Sequence, residues 1–330
     1  MKLSDIARLA GVSVTTASYV INGKAEQQRI SRRTVERVRA VVEEHSFTPN
    51  PQAAGLRSRR TNILGFILPD LENPGFARIA KLLEQGARAR GYQLLIASSD
   101  DLPDSERQLQ QLFRARCDAL IVASCLPAGD NSYQKLQEQG TPVIAITRAL
   151  DPSVFSSVVS DDHAASLHLT RSLLQTKPRH IALIGAHPEL SISQQRSSGF
   201  SQAVIDFQGE VLIKHGDAFH RDCGRQLMND LIQRLGQVPD ALVTASYGLL
   251  QGVFDALRAH PLKAAPIHLG TFDDPLSLDF LPQPVNAMAQ QHALIADKVL
   301  KLALAAVEQQ HYQPGIQTIA RTLRQRIGEA

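Results

Sequence analysis

Tryptophan is absent from this chain of 330 residues, and cysteine is scarce. The three cysteines, Cys117, Cys125 and Cys223, are scattered along the chain and show no CxxC spacing. This pattern excludes a zinc ribbon and a disulfide framework. The eleven histidines show neither an HExxH motif nor clustered spacing, so we expect no metal site.

Long apolar runs are also missing, because none reaches the length of a membrane span. Asp5 and Arg8 interrupt the N-terminal stretch, which therefore lacks the apolar segment of a secretory signal. We expect a protein with no membrane partner, located in the cytoplasm.

The usual catalytic and nucleotide-binding signatures do not occur. There is no Walker A lysine motif, no GxGxxG and no GxSxG nucleophile elbow. No nucleophile is paired with a base, so an enzyme is the weaker interpretation and no cofactor is predicted.

The first 23 residues, MKLSDIARLAGVSVTTASYVING, have the pattern of a helix-turn-helix. Asp5 to Ala10 predict one short helix and Val14 to Ile21 a second. Gly11 can adopt the left-handed conformation of a helix end, and Ser13 is a good N-cap for the second helix. We expect buried positions at Ile6, Leu9 and Ala10 and then at Ala17, Val20 and Ile21.

The second helix leaves Val14, Thr15, Ser18 and Tyr19 facing outward. A helix with an exposed first turn, crossed by a partner helix, is typical of a reader of the major groove. A helix-turn-helix used only for packing remains the alternative.

Positive charge is concentrated at the N-terminal end of the chain. Residues 1–61 contain 11 Lys and Arg against 5 Asp and Glu, whereas the remainder contains 24 against 27. A basic head on a mildly acidic body is typical of a phosphate-binding module attached to another domain. The candidates for phosphate contact, some of which a solvated charged face would equally explain, are Arg29, Arg32, Arg33, Arg37, Arg39, Arg57, Arg59 and Arg60.

From residue 62 onward, short apolar runs alternate with helical patterns, which predicts doubly wound parallel sheets. The first series of strands is Ile63–Leu68, Gln93–Ser98, Ala119–Ala123, Val143–Ile146 and Ser157–Val159. The second is His180–Gly185, Glu210–Lys214, Ala241–Ala245, Ile267–Phe272 and Val285–Ala289. Helices are predicted at Phe76–Arg90, Ser105–Arg114, Gln195–Asp206, Cys223–Leu235 and Leu249–Ala259. Two such series indicate two similar α/β subdomains.

Ligands of such sheets bind at the carboxyl ends of the strands, here in the cleft between the subdomains. The loop at residues 70–75 leads into a helix whose N-terminal amides can hold an anion. Arg78 lies in the first turn of that helix, Arg148 follows a strand, and Arg196 opens a helix of the second half. Three converging arginines would suit a phosphate or a carboxylate. A structural ion pair is the alternative for each of them.

The segment LSDIARLAGVSVTTASYVING closely resembles the headpiece of the LacI/GalR family of bacterial repressors. The resemblance continues through a third helix that Ser31 opens, with Val35, Val38 and Val42 on one face, and through FTPNPQAAGLRSRRTNILGFILPDL. It covers essentially the whole chain. It implies a helix-turn-helix headpiece followed by two doubly wound α/β subdomains that resemble periplasmic sugar-binding proteins. The implied boundaries are 1–48 for the DNA-binding headpiece, 49–61 for a hinge helix and linker, and 62–330 for an effector-binding and dimerisation core. Within this core, the N-subdomain covers about 62–161 and 290–320 and the C-subdomain about 162–288.

The resemblance implies that the partner is double-stranded operator DNA and that the protein acts as a homodimer or a tetramer. In the family, the residue that matches Leu56 inserts into a central minor-groove step, and such insertion kinks the duplex. A plain linker is the alternative for this Pro- and Gly-containing segment. The implied DNA-contacting residues are Val14, Thr15, Thr16, Ser18, Tyr19, Asn22, Arg29, Arg33, Asn50, Ala53, Leu56 and Arg57.

The segments YQLLIASSDD, RALDPSVFSSVVSDD and PELSIS are most similar to fructose-responsive members of the family, which implies a sugar phosphate, fructose 1-phosphate, as effector. In that pattern an Asp stands where this chain has Thr147. Phe-Gly-Asp-Asn stands where this chain has Phe-Asp-Asp-Pro, which places the carboxylate of Asp273 in the cleft. The candidate effector-binding residues are Asn73, Arg78, Thr147, Arg148, Arg196, Ser246, Asp273 and Gln290.

Two other functions stay open at this point. A cytoplasmic sugar-binding protein without DNA function would not need the basic head. A sugar-phosphate enzyme would need a catalytic group that the sequence does not reveal.

Overall fold

The chain divides into two compact units, Met1–Thr61 and Asn62–Ala330. The computed structural model describes residues 1–47, 60–127, 129–259 and 267–327. The predictions for Asn50, Ala53, Leu56 and Arg57 lie outside these residues.

The described residues of the first unit form three helices, α1 (Leu3–Leu9), α2 (Val14–Ile21) and α3 (Arg32–Glu44). Gly11 has a φ of +59° at the break, and Ser13 Oγ accepts a hydrogen bond from the Thr16 N–H at 3.0 Å. The predicted turn and N-cap are therefore confirmed. Ser31 caps α3 in the same way, since its Oγ accepts from the Thr34 N–H at 3.4 Å.

The small core of this unit consists of Ile6, Ala7, Ala10, Ala17, Val20 and Val38. The prediction that Leu9 is buried is wrong, because its side chain is 49% exposed. Ala7 takes the inward position instead. Two residues further along, at about 100° per residue, Leu9 lies on the opposite face of α1.

The second unit contains two six-stranded sheets. The first sheet has the order β11-β5-β4-β3-β1-β2, and all its strands run parallel. Its strands are β1 (Ile63–Leu68), β2 (Gln93–Ser98), β3 (Ala119–Val122), β4 (Val143–Ile146), β5 (Ser156–Ser160) and β11 (Gly315–Ile319). Four helices cover its two faces: α4 (Pro74–Arg88), α5 (Pro103–Arg114), α6 (Ser132–Glu138) and α11 (His292–Glu308).

The second sheet has the order β12-β10-β9-β8-β6-β7, and β12 is antiparallel to β10. Its strands are β6 (His180–Ala186), β7 (Glu210–Gly216), β8 (Ala241–Thr244), β9 (His268–Phe272), β10 (Val285–Ala289) and β12 (Thr322–Arg324). The helices are α7 (Asp162–Leu174), α8 (Ser191–Ala203), α9 (Arg221–Leu235), α10 (Tyr247–Ala259) and a short 3₁₀ helix at Leu276–Phe280. Apolar clusters lie on both faces of this sheet as well, so its central strands β6, β8, β9 and β10 are buried on both sides, as expected of parallel strands.

The chain crosses between the two subdomains at residues 160–162, 289–292 and 319–322. Hydrogen bonds join these crossovers. Gln290 Nε2 donates to Ser160 Oγ at 3.1 Å, and Gln291 Nε2 donates to the Ala320 carbonyl at 2.9 Å. The side chains that follow the strands at this edge therefore come from both subdomains and face one cleft.

Asp240 ties the starts of β6 and β8 together at the opposite edge of the second sheet. Its Oδ2 accepts from the Arg179 N–H at 2.7 Å, from the His180 N–H at 2.9 Å and from His180 Nδ1 at 3.1 Å. Burial opposes ionisation of this carboxyl, but the donors outweigh burial and lower the pKa of Asp240 below its ordinary value.

Candidate ligand cleft and nucleic-acid-binding face

A cleft of about 460 Å³ lies between the two subdomains of the second unit, at the carboxyl ends of their strands. This is the edge at which doubly wound sheets bind ligands. Most of the residues predicted for the effector site line it: Asn73, Thr147, Arg148, Arg196, Ser246, Asp273 and Gln290.

Arg148 is buried and paired with Asp101. Its Nη1 donates to Asp101 Oδ1 at 2.5 Å and its Nη2 to Asp101 Oδ2 at 3.2 Å. Nη1 also lies 3.4 Å from the Ser124 carbonyl oxygen. This bidentate pair fixes the plane of the guanidinium group. Arg148 Nε forms no hydrogen bond among the described residues.

All three guanidinium nitrogens of Arg196 are bound to groups of the protein. Nε and Nη2 lie 3.0 and 2.9 Å from Asp162 Oδ1, and Nη1 donates to the Ala245 carbonyl. The group stacks on the Phe272 ring at 4.1 Å from its centroid. Burial lowers the pKa of Arg196, although the carboxylate of Asp162 acts against this change. The ion pair considered from the sequence is therefore present in the structure.

A further arginine, Arg321, lines the cleft and was missed from the sequence. Its side chain is 2% exposed. Nε donates to Asp162 Oδ1 at 3.1 Å, and Nη1 lies 3.2 Å from Asp273 Oδ1 and 3.3 Å from the Met288 carbonyl oxygen. Burial opposes its charge, but the carboxylates of Asp162 and Asp273 outweigh burial and raise its pKa. The buried carboxylate of Asp162 therefore accepts hydrogen bonds from two arginines, Arg196 and Arg321.

The prediction that Arg78 converges on the cleft is wrong. Arg78 is exposed on α4 and is not among the residues that line the cleft. The helical period explains this, because Ile79 and Leu83 face the sheet and direct Arg78 to the outside. Arg321 takes the place of the third arginine. Its position at the third crossover, between the runs GIQTI and TLR, is the signal that could have identified it.

Three uncharged side chains of the cleft are held by local hydrogen bonds. Asn73 Oδ1 accepts from the Gly75 N–H at 2.9 Å and caps α4. Ser246 Oγ accepts from the Leu249 N–H at 3.2 Å at the start of α10. Gln290 belongs to the crossover already described. Asn73 Nδ2 and Gln290 Oε1 form no hydrogen bond with any described residue.

Four residues of the cleft occupy the left-handed backbone region: Asp100, Asp101, Thr147 and Asp273. Thr147 has a φ of +60° and Asp273 a φ of +70°. For a β-branched residue such as Thr147 this conformation is strained, whereas Asp adopts it more readily. Thr147 Oγ1 is buried and has no hydrogen-bond partner in the described chain. Strain together with an unpaired hydroxyl is typical of a functional site.

The candidates for DNA contact among the described residues lie on the surface of the first unit. Thr15 is exposed at the N-terminal end of α2, and Val14 beside it is 37% exposed. Tyr19 is half-buried one turn later. Arg29 and Arg33 are exposed, and Arg29 has a φ of +52°.

Three polar candidates, Thr16, Ser18 and Asn22, form hydrogen bonds within α2 or with its N-cap. Thr16 Oγ1 lies 2.8 Å from Ser13 Oγ. Asn22 Nδ2 donates to the Ser18 carbonyl at 2.9 Å and lies 3.2 Å from Ser18 Oγ. These bonds orient the polar side chains and leave Thr15 Oγ1 without a partner among the described residues.

Two absences concern the described part of the chain. No group of at least three His, Cys, Asp or Glu side chains there is arranged to hold a metal ion. No helix within the same residues is long and apolar enough to cross a membrane.

Family comparisons divide the chain at the same place as the fold. Residues 2–50 match the family described as bacterial regulatory proteins of the lacI family. Residues 61–328 match the periplasmic binding proteins and sugar binding domain of the LacI family.

Curated relatives are similar over nearly the whole chain. The fructose operon regulatory protein of Vibrio cholerae is 48% identical over 99% of this chain and 100% of its own length. The catabolite repressor/activator of Escherichia coli strain K12 is 44% identical over 99% of this chain and 98% of its own.

Two solved structures are also similar to this chain. The Cra transcriptional dual regulator of Pseudomonas putida, in complex with fructose 1-phosphate, has a TM-score of 0.80 and is 64% identical. It covers 82% of this chain and 100% of its own. The Lac repressor dimer bound to operator has a TM-score of 0.82 over 98% of both chains, but its identity of 19% extends the likeness to the fold alone.

Proposed function

This chain belongs to the LacI family of bacterial regulatory proteins, and we propose that it is a sequence-specific repressor of genes of carbon metabolism that a sugar phosphate releases from its operator. The proposed effector is fructose 1-phosphate. The observation that carries the proposal is a cleft lined by buried arginines in a chain that also contains a basic helix-turn-helix.

Binding of a phosphorylated sugar is supported by unpaired hydrogen-bond donors that the first subdomain contributes to the cleft. Arg148 Nε and Asn73 Nδ2 have no partner among the described residues. Both residues line the cleft, and Asn73 caps the first turn of α4. The amides of such a turn favour an anion. The relative from Pseudomonas putida, at 64% identity, was solved with fructose 1-phosphate. We propose binding without conversion, because Asp101 and Asp273 of the cleft are paired with arginines.

Operator recognition is assigned to α2 and to the basic surface around it. Thr15 and Val14 would contact base edges, with Val14 placed for a thymine methyl group, and Tyr19 would extend the same surface. Arg29 and Arg33 would contact phosphates, which position the head without reading sequence.

Coupling between the cleft and DNA would use a dimer. The hinge helices of two chains, with Leu56 at the centre, would form on the minor groove together. An effector that binds better to the arrangement in which the hinges are apart shifts the population away from DNA. The differential affinity of the two arrangements sets how far release proceeds.

The test is a pair of binding measurements on the full chain. Selected DNA duplexes are first titrated to identify an operator, and a panel of sugar phosphates is then titrated by calorimetry. We expect specific DNA binding and the highest sugar affinity for fructose 1-phosphate. Sugar binding without specific DNA binding would show a sugar-binding protein instead, and turnover of any sugar phosphate would show an enzyme.

A further inference from the structure

The arginines of the cleft differ in which hydrogen-bond donors remain available. Arg196 has all three guanidinium nitrogens bound within the protein, and Arg148 has both terminal nitrogens on Asp101. Arg321 Nη2, by contrast, forms no hydrogen bond with any described residue, although the side chain is almost fully buried and lines the cleft. This nitrogen therefore remains available to a ligand.

The surroundings of Arg321 Nη2 decide which ligand group suits it. A guanidinium group is planar, and Nη2 shares one edge with Nε and the other with Nη1. Nε is on Asp162 and Nη1 is on Asp273, so the free nitrogen lies between two nitrogens that already face carboxylates. A phosphate placed there would face both negative charges, whereas a neutral hydroxyl oxygen would not.

Asp273 supplies the complementary acceptor. One of its oxygens is 3.2 Å from Arg321 Nη1, and its Oδ2 forms no hydrogen bond among the described residues. A sugar hydroxyl both accepts and donates a hydrogen bond, so it matches an arginine nitrogen beside a carboxylate oxygen. The guanidinium group of Arg321 is also held against the Phe272 ring, 5.2 Å from its centroid, which limits its movement.

We infer that Arg321 Nη2 donates to a hydroxyl oxygen of the bound sugar, and that Arg321 and Asp273 together recognise the neutral, hydroxyl-bearing end of the effector. This inference rests on the proposed function. It places the hydroxyls of the sugar beside Asp273 and the crossover of residues 319–322. Arg321 is thus a specificity residue for the sugar and not for the phosphate.

The experiment compares fructose 1-phosphate with unphosphorylated fructose, each titrated by calorimetry into the full chain. Arg321→Gln removes a charged donor, so we expect both affinities to fall about 10-fold and their ratio to stay within about twofold. Arg148→Gln, which removes the arginine proposed to face the phosphate, should lower the affinity for fructose 1-phosphate more than that for fructose. Arg324→Gln is the matched control, because Arg324 is exposed on β12 and pairs only loosely with Asp274 at 3.7 Å. It should change neither affinity.

A second variant tests whether a loss of affinity is caused by misfolding. Arg321→Lys keeps the positive charge beside Asp162 and Asp273 but lacks the planar fork, so it should fold and still lose affinity for both sugars equally.

The outcomes separate this inference from the proposed function. If fructose 1-phosphate loses much more affinity than fructose in the Arg321 variants, the nitrogen contacts phosphate and the inference is overturned. Unchanged affinities for both sugars would overturn it too, while leaving the proposed effector in place. A wild-type chain that binds neither sugar would remove both the inference and the proposed effector.

Discussion

Replacing Arg196 by Ala tests whether the second subdomain depends on its buried ion pair. The change leaves the Ala245 carbonyl without its donor and takes two of three contacts from Asp162 Oδ1. Both partners are almost fully buried, at 6% and 2% side-chain exposure. Removing one member of such a pair typically costs about 3–5 kcal/mol, chiefly because the other charge stays buried.

The remaining contact places Arg196→Ala at the lower end of that range. Arg321 Nε still donates to Asp162 Oδ1 at 3.1 Å, so the carboxylate keeps one partner. Burial also lowers the pKa of Arg196, because a charged group in the core loses its solvation. We therefore expect the free energy of unfolding to fall by about 3 kcal/mol.

Urea unfolding followed by tyrosine fluorescence measures this change, because the chain has no tryptophan and four of its five tyrosines follow residue 62. Arg234→Ala is the matched control. Arg234 lies on α9 of the same subdomain, 3.9 Å from Glu210, and both side chains are largely exposed. Its loss should change the free energy of unfolding by less than about 0.5 kcal/mol. The reasoning is refuted if Arg196→Ala costs less than about 1 kcal/mol or if the control costs as much.

Three further predictions concern the head, the hinge and acid stability. Thr15→Ala and Tyr19→Ala should change the relative affinities for operator variants, whereas Arg33→Ala should weaken all sites alike and reduce the salt slope by about 1. DNA titrations at several salt concentrations measure both effects. If the Thr15 and Tyr19 variants keep the wild-type base preference, the assignment is contradicted. Leu56→Ala should lower both specific affinity and DNA bending without altering effector affinity, and an unaltered bend angle in its complex would count against insertion into the minor groove. The lowered pKa of Asp240 means that its contribution to stability is present above the unfolded pKa of about 3.9 and is lost as the pH falls through the folded pKa. The difference in unfolding free energy between wild type and Asp240→Asn should therefore shrink on acidification from pH 7, and a difference that stays constant would show that the carboxylate is not the source.

Local signals predicted the elements well where they were strong. Gly11 and Ser13 fix the break before α2, so its bounds follow from the sequence. The apolar runs of β1 and β10 are buried strands with the predicted ends. The predicted helices begin too far along the chain. For example, α4 begins at Pro74, directly after the Asn73 cap, and not at Phe76.

The cleft could be predicted only in part. Arg148 follows a strand and Arg196 lies in a helix opening toward the same edge, so strand order alone placed both there. Their partners are 47 and 34 residues away in the chain, and no local pattern reveals such pairings. Arg321 lies at the last crossover, where the fold returns to the second sheet, and its role depends on that tertiary arrangement.

Titration of fructose 1-phosphate into a complex of the full chain with its operator tests the central claim most directly. We expect the sugar phosphate to release the wild-type chain from DNA. Arg321→Gln should need about 10-fold more of it for half release while binding operator normally in its absence. A complex that fructose 1-phosphate leaves intact, or binds more tightly, would contradict the account.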